Sequence, residues 1–103
     1  SVKGEFGDRY IAFVNTQCSA CNSMLKQVLN SLKLGVSVDI HFKNDSRQAI
    51  TQWATKQGIS PESVEVGTIT LNPGSALIEQ FGQPAEPSLY YFNKASNQVS
   101  EVK

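Results

Sequence analysis

Between Tyr10 and Lys43 the spacing of apolar residues changes period twice, and that change limits what this chain can build. Tyr10-Ile11-Ala12-Phe13-Val14 is a continuous apolar run with aromatic and β-branched members, the composition of a short strand buried on both faces. From Cys18 onward, Cys21, Met24, Leu25, Val28, Leu29 and Leu32 recur at steps of three and four. Asn22, Lys26, Gln27, Asn30 and Lys33 take the opposite side, so a helix with one buried stripe is expected, stopped by Gly35. Val36, Val38, Ile40 and Phe42 then alternate with Ser37, Asp39, His41 and Lys43, the pattern of a strand with one buried and one wetter face. A strand–helix–strand connection of this length suits a parallel pair with a right-handed crossover. That begins an α/β sheet with the first run as its central strand.

Beyond Phe42, Asp45 or Ser46 can cap a second helix whose buried stripe is Ala49, Ile50, Trp53 and Ala54, with Gly58 at its end. Ser60-Pro61-Glu62 reads as a short helical turn with proline at its first position. Val66-Gly67-Thr68-Ile69-Thr70-Leu71 fits a strand or an extended loop, and Asn72-Pro73 is expected to restart a helix through Ala76, Leu77, Ile78 and Phe81 to Gly82. Leu89-Tyr90-Tyr91-Phe92 is a strand, residues 93–97 hold turn formers, and residues 98–102 make the return strand of a hairpin. Residues 1–8 are polar and read as an N-terminal tail, leaving 9–103 as the domain.

At 103 residues a single domain buries roughly 65% of the surface its unfolded chain exposes, so a core forms without covalent staples. Nine Lys plus Arg balance nine Asp plus Glu with no basic run, which argues against nucleic acid as a partner. No stretch approaches the ~20 apolar residues of a membrane span. The opening residues lack the apolar segment of a secretory signal, so the compartment must be read from other features.

The only two cysteines stand in Cys18-Ser19-Ala20-Cys21, where the apolar run gives way to helical periodicity. Two thiols three residues apart at a helix start can close into a disulfide, and the unpaired N–H groups and positive dipole end there stabilise a thiolate. The first cysteine then becomes the nucleophile. An inert structural disulfide is the plainer alternative. A structural zinc site needs four ligands, and two cysteines with the single His41 do not supply them, so no metal is expected. His41 reads as a solvated strand residue, Trp53 as a core anchor and Met24 as a core filler. Tyr90 and Tyr91 point to opposite sheet faces, one packed and one on the surface.

The order of strand, CxxC opening a helix, parallel strand, further helix, and proline before a hairpin resembles the thioredoxin-like superfamily over residues 9–102. Glu86-Pro87-Ser88-Leu89-Tyr90-Tyr91-Phe92 looks like the segment that carries that superfamily's cis-proline beside the cysteine pair. The resemblance implies an α/β fold with a central mixed sheet flanked by helices, here without the closing C-terminal helix, so that either one sheet face is thinly covered or the sequence stops short of that helix. It implies thiol–disulfide exchange with protein substrates and no dissociable cofactor. Cys18 would attack, Cys21 would resolve, and Pro87 would line a peptide groove with Thr16, Gln17, Ser19 and Glu86 around it. Three positions depart from the thioredoxin pattern. Ala12 stands where a buried aspartate helps deprotonate the second cysteine, Gln17 replaces the usual tryptophan, and Ser19-Ala20 is neither Gly-Pro nor Pro-His. Glu86 near Cys18 would oppose the thiolate unless it points to solvent.

Gln52-Trp53-Ala54, Gly58-Ile59-Ser60-Pro61 and especially Gly67-Thr68-Ile69-Thr70-Leu71-Asn72 are similar to a family of integrating-conjugative-element proteins that accompany type IV secretion systems. That likeness implies a periplasmic, cell-envelope setting and disulfide-containing components of a transfer apparatus as partners. A non-catalytic docking or assembly role in that machinery is the alternative it leaves.

Overall fold

The computed structural model describes residues 7–103. The apolar run forms β1 (Arg9–Val14) and lies at the centre of a five-stranded sheet because it has no polar face to offer water. Ile11, Ala12, Phe13 and Val14 are all buried. The chain continues through α1 (Ser19–Asn30), β2 (Ser37–Phe42), α2 (Arg47–Lys56), α3 (Pro61–Glu65), β3 (Ile69–Pro73), α4 (Ala76–Gln80), β4 (Ser88–Asn93) and β5 (Gln98–Glu101). The strand order is β3-β2-β1-β4-β5, parallel for β1 with β2 and β2 with β3, antiparallel for β1 with β4 and β4 with β5. The sheet is therefore mixed.

One sheet face carries Ala12, Val14, Val38, Ile40 and Phe42, packed with Cys21, Leu25, Val28, Ile50 and Trp53 from α1 and α2. Trp53 meets Phe42 edge-on at 5.2 Å between ring centroids. Its indole N–H donates to Asn22 Oδ1 at 2.9 Å, so the buried polar atom is satisfied and α2 is pinned to α1. Met24 packs on the rim of this cluster. The other face holds Ile11, Phe13 and Ile78 with Leu77, Phe81, Tyr90 and Phe92 around them. Among the described residues its helical cover is α4 alone, five residues long. Arg9 Nε donates to Asp39 Oδ2 at 2.6 Å and the Thr70 hydroxyl donates to Asp39 Oδ1 at 2.8 Å, a polar tie across β1, β2 and β3.

Four local expectations are corrected. His41 is not solvated: it is 4% exposed and stacks on Phe13 at 5.4 Å between ring centroids, because this face of β2 is covered too. Asn72 and Pro73 end β3 instead of starting a helix. Asn72 Nδ2 donates to Ile40 O and Thr70 Oγ1, and Pro73 lies on an edge strand, where its missing N–H removes no ladder bond. Gly74, at φ +56°, then turns the chain, and Ser75 caps α4. Of the two expected caps of α2, Ser46 takes the role. The first helix closes at Asn30, and Gly35 serves the following turn at φ +85°. Tyr91 is half-buried, edge-on to Tyr10, with its hydroxyl donating to Asp8 Oδ2 at 2.5 Å, while Tyr90 packs on Phe13 and Phe81.

The expected tail over residues 1–8 lies outside the described residues except for Gly7 and Asp8. Asp8 accepts from Ser37 N at 3.1 Å and from Lys94 N at 2.9 Å.

Candidate active site

Where β1 leaves the sheet, the chain must turn through Asn15, Thr16 and Gln17 before α1 begins. One short-range bond and two long-range ones shape that turn. Gln17 N–H donates to Asn15 Oδ1 at 2.9 Å, a local Asx turn. Thr16 donates both its N–H, at 3.1 Å, and its hydroxyl, at 2.7 Å, to the Asp45 carboxylate in the loop that follows β2.

Cys18 is the N-cap of α1, with extended backbone at φ −114° and ψ 105°. Its Sγ accepts the N–H of Cys21 at 3.0 Å, and its carbonyl accepts from Asn22 N at 3.2 Å, opening the helical ladder. Cysteine thus stands where Ser, Thr, Asp or Asn ordinarily caps. An N–H aimed at a sulfur, with the dipole of a twelve-residue helix behind it, favours the anionic form of that sulfur. Cys18 and Cys21 are joined as a disulfide. Cys18 is half-buried and Cys21 fully buried in the core, so the first sulfur is the approachable one.

The second wall comes from far along the chain. β4 pairs antiparallel with β1, Ser88 opposite Phe13, which carries the residues just before Ser88 to the carboxyl end of β1. The Glu86–Pro87 bond is cis. Asn15 Nδ2 donates to Glu86 Oε1 at 2.9 Å across 71 residues of sequence. The Glu86 carboxylate is held by Asn15. Thr16, Gln17, Cys18, Ser19 and Cys21 therefore sit on one loop and helix start, and Glu86 and Pro87 on the loop bonded to it. Gln17 and Ser19 are exposed, and Thr16, Glu86 and Pro87 half-buried. Ala12, buried beneath the pair, supplies no carboxylate.

Asn15 and Asp45 position this loop, and neither stood out in the sequence. The Asx-turn potential of Asn15-Thr16-Gln17 was a usable local signal. Asp45 resembled a helix cap, and its true partner lies 29 residues away. Among the described residues no cluster of His, Cys, Asp and Glu could hold a metal ion, and no helix is long and apolar enough to cross a membrane.

This is a thioredoxin-like fold with a CxxC disulfide at a helix N-terminus. No protein-family model and no curated protein matches the sequence. Solved structures do match. A secreted Mycobacterium tuberculosis disulfide oxidoreductase homologous to E. coli DsbE superposes with TM-score 0.73 at 15% identity, covering 93% of this chain and 68% of that one. MTB dsbF, in mixed oxidized and reduced forms, gives TM-score 0.70 at 17% identity over 94% of this chain and 69% of its own. A thioredoxin-related protein from Neisseria meningitidis serogroup B gives 0.66 at 13% over 96% and 75%. At these identities the likeness is one of fold.

Proposed function

We propose that the protein exchanges thiols and disulfides with protein substrates, Cys18 acting as nucleophile and Cys21 as resolving thiol. The observation that carries this is the Cys21 N–H donated to Cys18 Sγ at the start of α1, together with the burial of Cys21 behind it. In the reduced protein the Cys18 thiolate attacks a substrate disulfide, forming a mixed disulfide and expelling one substrate thiolate. The Cys21 thiolate then attacks Cys18 Sγ, breaking the mixed disulfide, closing the intrachain bond and releasing the second substrate thiolate. Two electrons pass to the substrate, and the reverse sequence oxidises a substrate dithiol. Thr16, Gln17, Ser19, Glu86 and Pro87 surround the sulfur as the peptide-binding wall, and the reaction needs no dissociable cofactor.

The substrates are disulfide-containing cell-envelope proteins of a conjugative transfer apparatus, and the protein works in the periplasm. Support for this setting is the similarity of residues 67–72 to conjugative-element proteins. In the fold, residues 69–72 of that string lie in the edge strand, where Thr70 and Asn72 hold β3 to β2.

The test is a thiol titration combined with insulin-reduction and disulfide-refolding assays on wild type and Cys18→Ser. A Cys18 pKa below the ordinary ~8.5, exchange lost in Cys18→Ser, and alkylation of Cys18 before Cys21 are expected. An ordinary pKa with no exchange in either assay would leave a docking role as the better account.

A further inference from the structure

A trough runs from the redox site down the outer surface between α1 and α2, and the exchange reaction does not use it. Its upper part, about 360 Å³, opens at Thr16 and Gln17 beside Cys18. Its lower part, about 370 Å³, reaches Asn30 and Gly58. The two share Asn22, Trp53, Lys56 and Gln57, so they form one channel with the Trp53–Asn22 hydrogen bond in its lining. Twelve helical residues at ~1.5 Å each give a length of about 18 Å, room for about five extended residues at ~3.4 Å.

The lining has a consistent chemistry. The side chains of Gln17, Gln52 and Gln57 and the Asn22 NH2 group have no hydrogen-bond partner among the described residues. They can meet the N–H and C=O groups of an extended backbone. The charged residues lining it are Lys26 and Lys56, both exposed, with no carboxylate among the lining residues. We propose that this trough binds the polypeptide segment flanking the substrate's reactive cysteine and selects segments that place a carboxylate between Lys26 and Lys56. The proposal rests on the exchange reaction above and names the substrate class of that site. Lys26 lies eight residues beyond Cys18, about 12 Å along the helix. The favoured acidic residue therefore stands roughly three to four positions from the cysteine at ~3.4 Å each.

The experiment uses reduced protein and single-cysteine peptides activated as pyridyl disulfides, with release of thiopyridone followed in single turnover. The peptides carry Glu or Lys at the third and fourth positions, on either side of the cysteine. A pyridyl disulfide without peptide reports the reactivity of Cys18 alone. At low salt the Glu peptide should react about tenfold faster than the Lys peptide, and the two should converge near 1 M salt, where the screening length falls to about 3 Å. Lys26→Glu with Lys56→Glu should invert the order and leave the peptide-free rate unchanged. Lys33→Glu, the same charge change per residue but outside the trough, should leave the order intact. Equal rates for both peptides, or an order that the double variant leaves unmoved, overturns the proposal. So does a Lys33→Glu effect as large as that of the double variant. A peptide-free rate no faster than a simple thiol's counts against the exchange reaction itself, a separate failure.

Discussion

His41 is buried on a sheet face where an imidazolium is hard to accommodate, and this makes stability depend on pH in a window free of carboxylate titration. Its ring stacks on Phe13, and neither nitrogen has a hydrogen-bond partner among the described residues. Burial holds its pKa below 6.5; the Arg9 charge pushes the same way, and Asp39 partly offsets both. The unfolded chain protonates His41 near 6.5, whereas the folded protein does so only at lower pH. Between those two values the unfolded state binds more protons, so stability falls as pH drops below about 6.5 and is fully present above it. One proton sets the limiting slope, about 1.4 kcal/mol per pH unit. For a domain of this size that is roughly 5–10 °C in Tm per unit. Urea unfolding of the disulfide-bonded protein between about pH 7.5 and 5 isolates it, because Asp and Glu titrate near 4. Wild type should lose stability across the lower part of this range, and His41→Phe should be nearly flat. His41→Leu serves if phenylalanine overfills the site. Equal slopes in wild type and variant would refute the argument.

Two other perturbations test the polar ties of the fold. Asp39→Ala strips the Arg9 guanidinium of its counter-ion and Thr70 of its acceptor where both ionic side chains are about 15% exposed. Discounted for that exposure, the loss should be about 2–3 kcal/mol, read from denaturant midpoints; less than about 1 kcal/mol would mean that solvent already neutralises Arg9. Tyr91, donating to Asp8, has its ionisation pushed up to about 12. An ultraviolet titration of the three tyrosines should therefore show one lagging, and Asp8→Asn should bring it back toward the ordinary value near 10. With its folded pKa raised, that contribution is complete below about pH 10 and lost as pH rises toward 12. Three tyrosines titrating together in wild type would exclude the bond.

Elements with their own apolar period were legible. β1, α1, β2, α2 and the β4–β5 hairpin form where runs, three-and-four spacing or alternation had placed them, and Cys18 begins the helix as its cap. Alternation correctly put His41 opposite Ile40 and Phe42, yet its burial was misread. Period two tells which side chains share a face, whereas the cover of that face comes from α4 and Phe13, supplied by other segments. Asn72-Pro73 was misread for a related reason. Its residue types suit a helix start, and pairing with His41 and Phe42 outweighed that local preference.

The amino-acid order alone carried the strand–helix–strand unit and a sulfur at a helix mouth, since both follow from side chains within a few residues of one another. Tertiary structure decided what surrounds that sulfur. Glu86 is bonded to Asn15 and Thr16 to Asp45 only because β4 and β2 flank β1 in this register. Bonds across 71 and 29 residues have no local signature, because the free energy that forms them comes from the packing of the whole sheet.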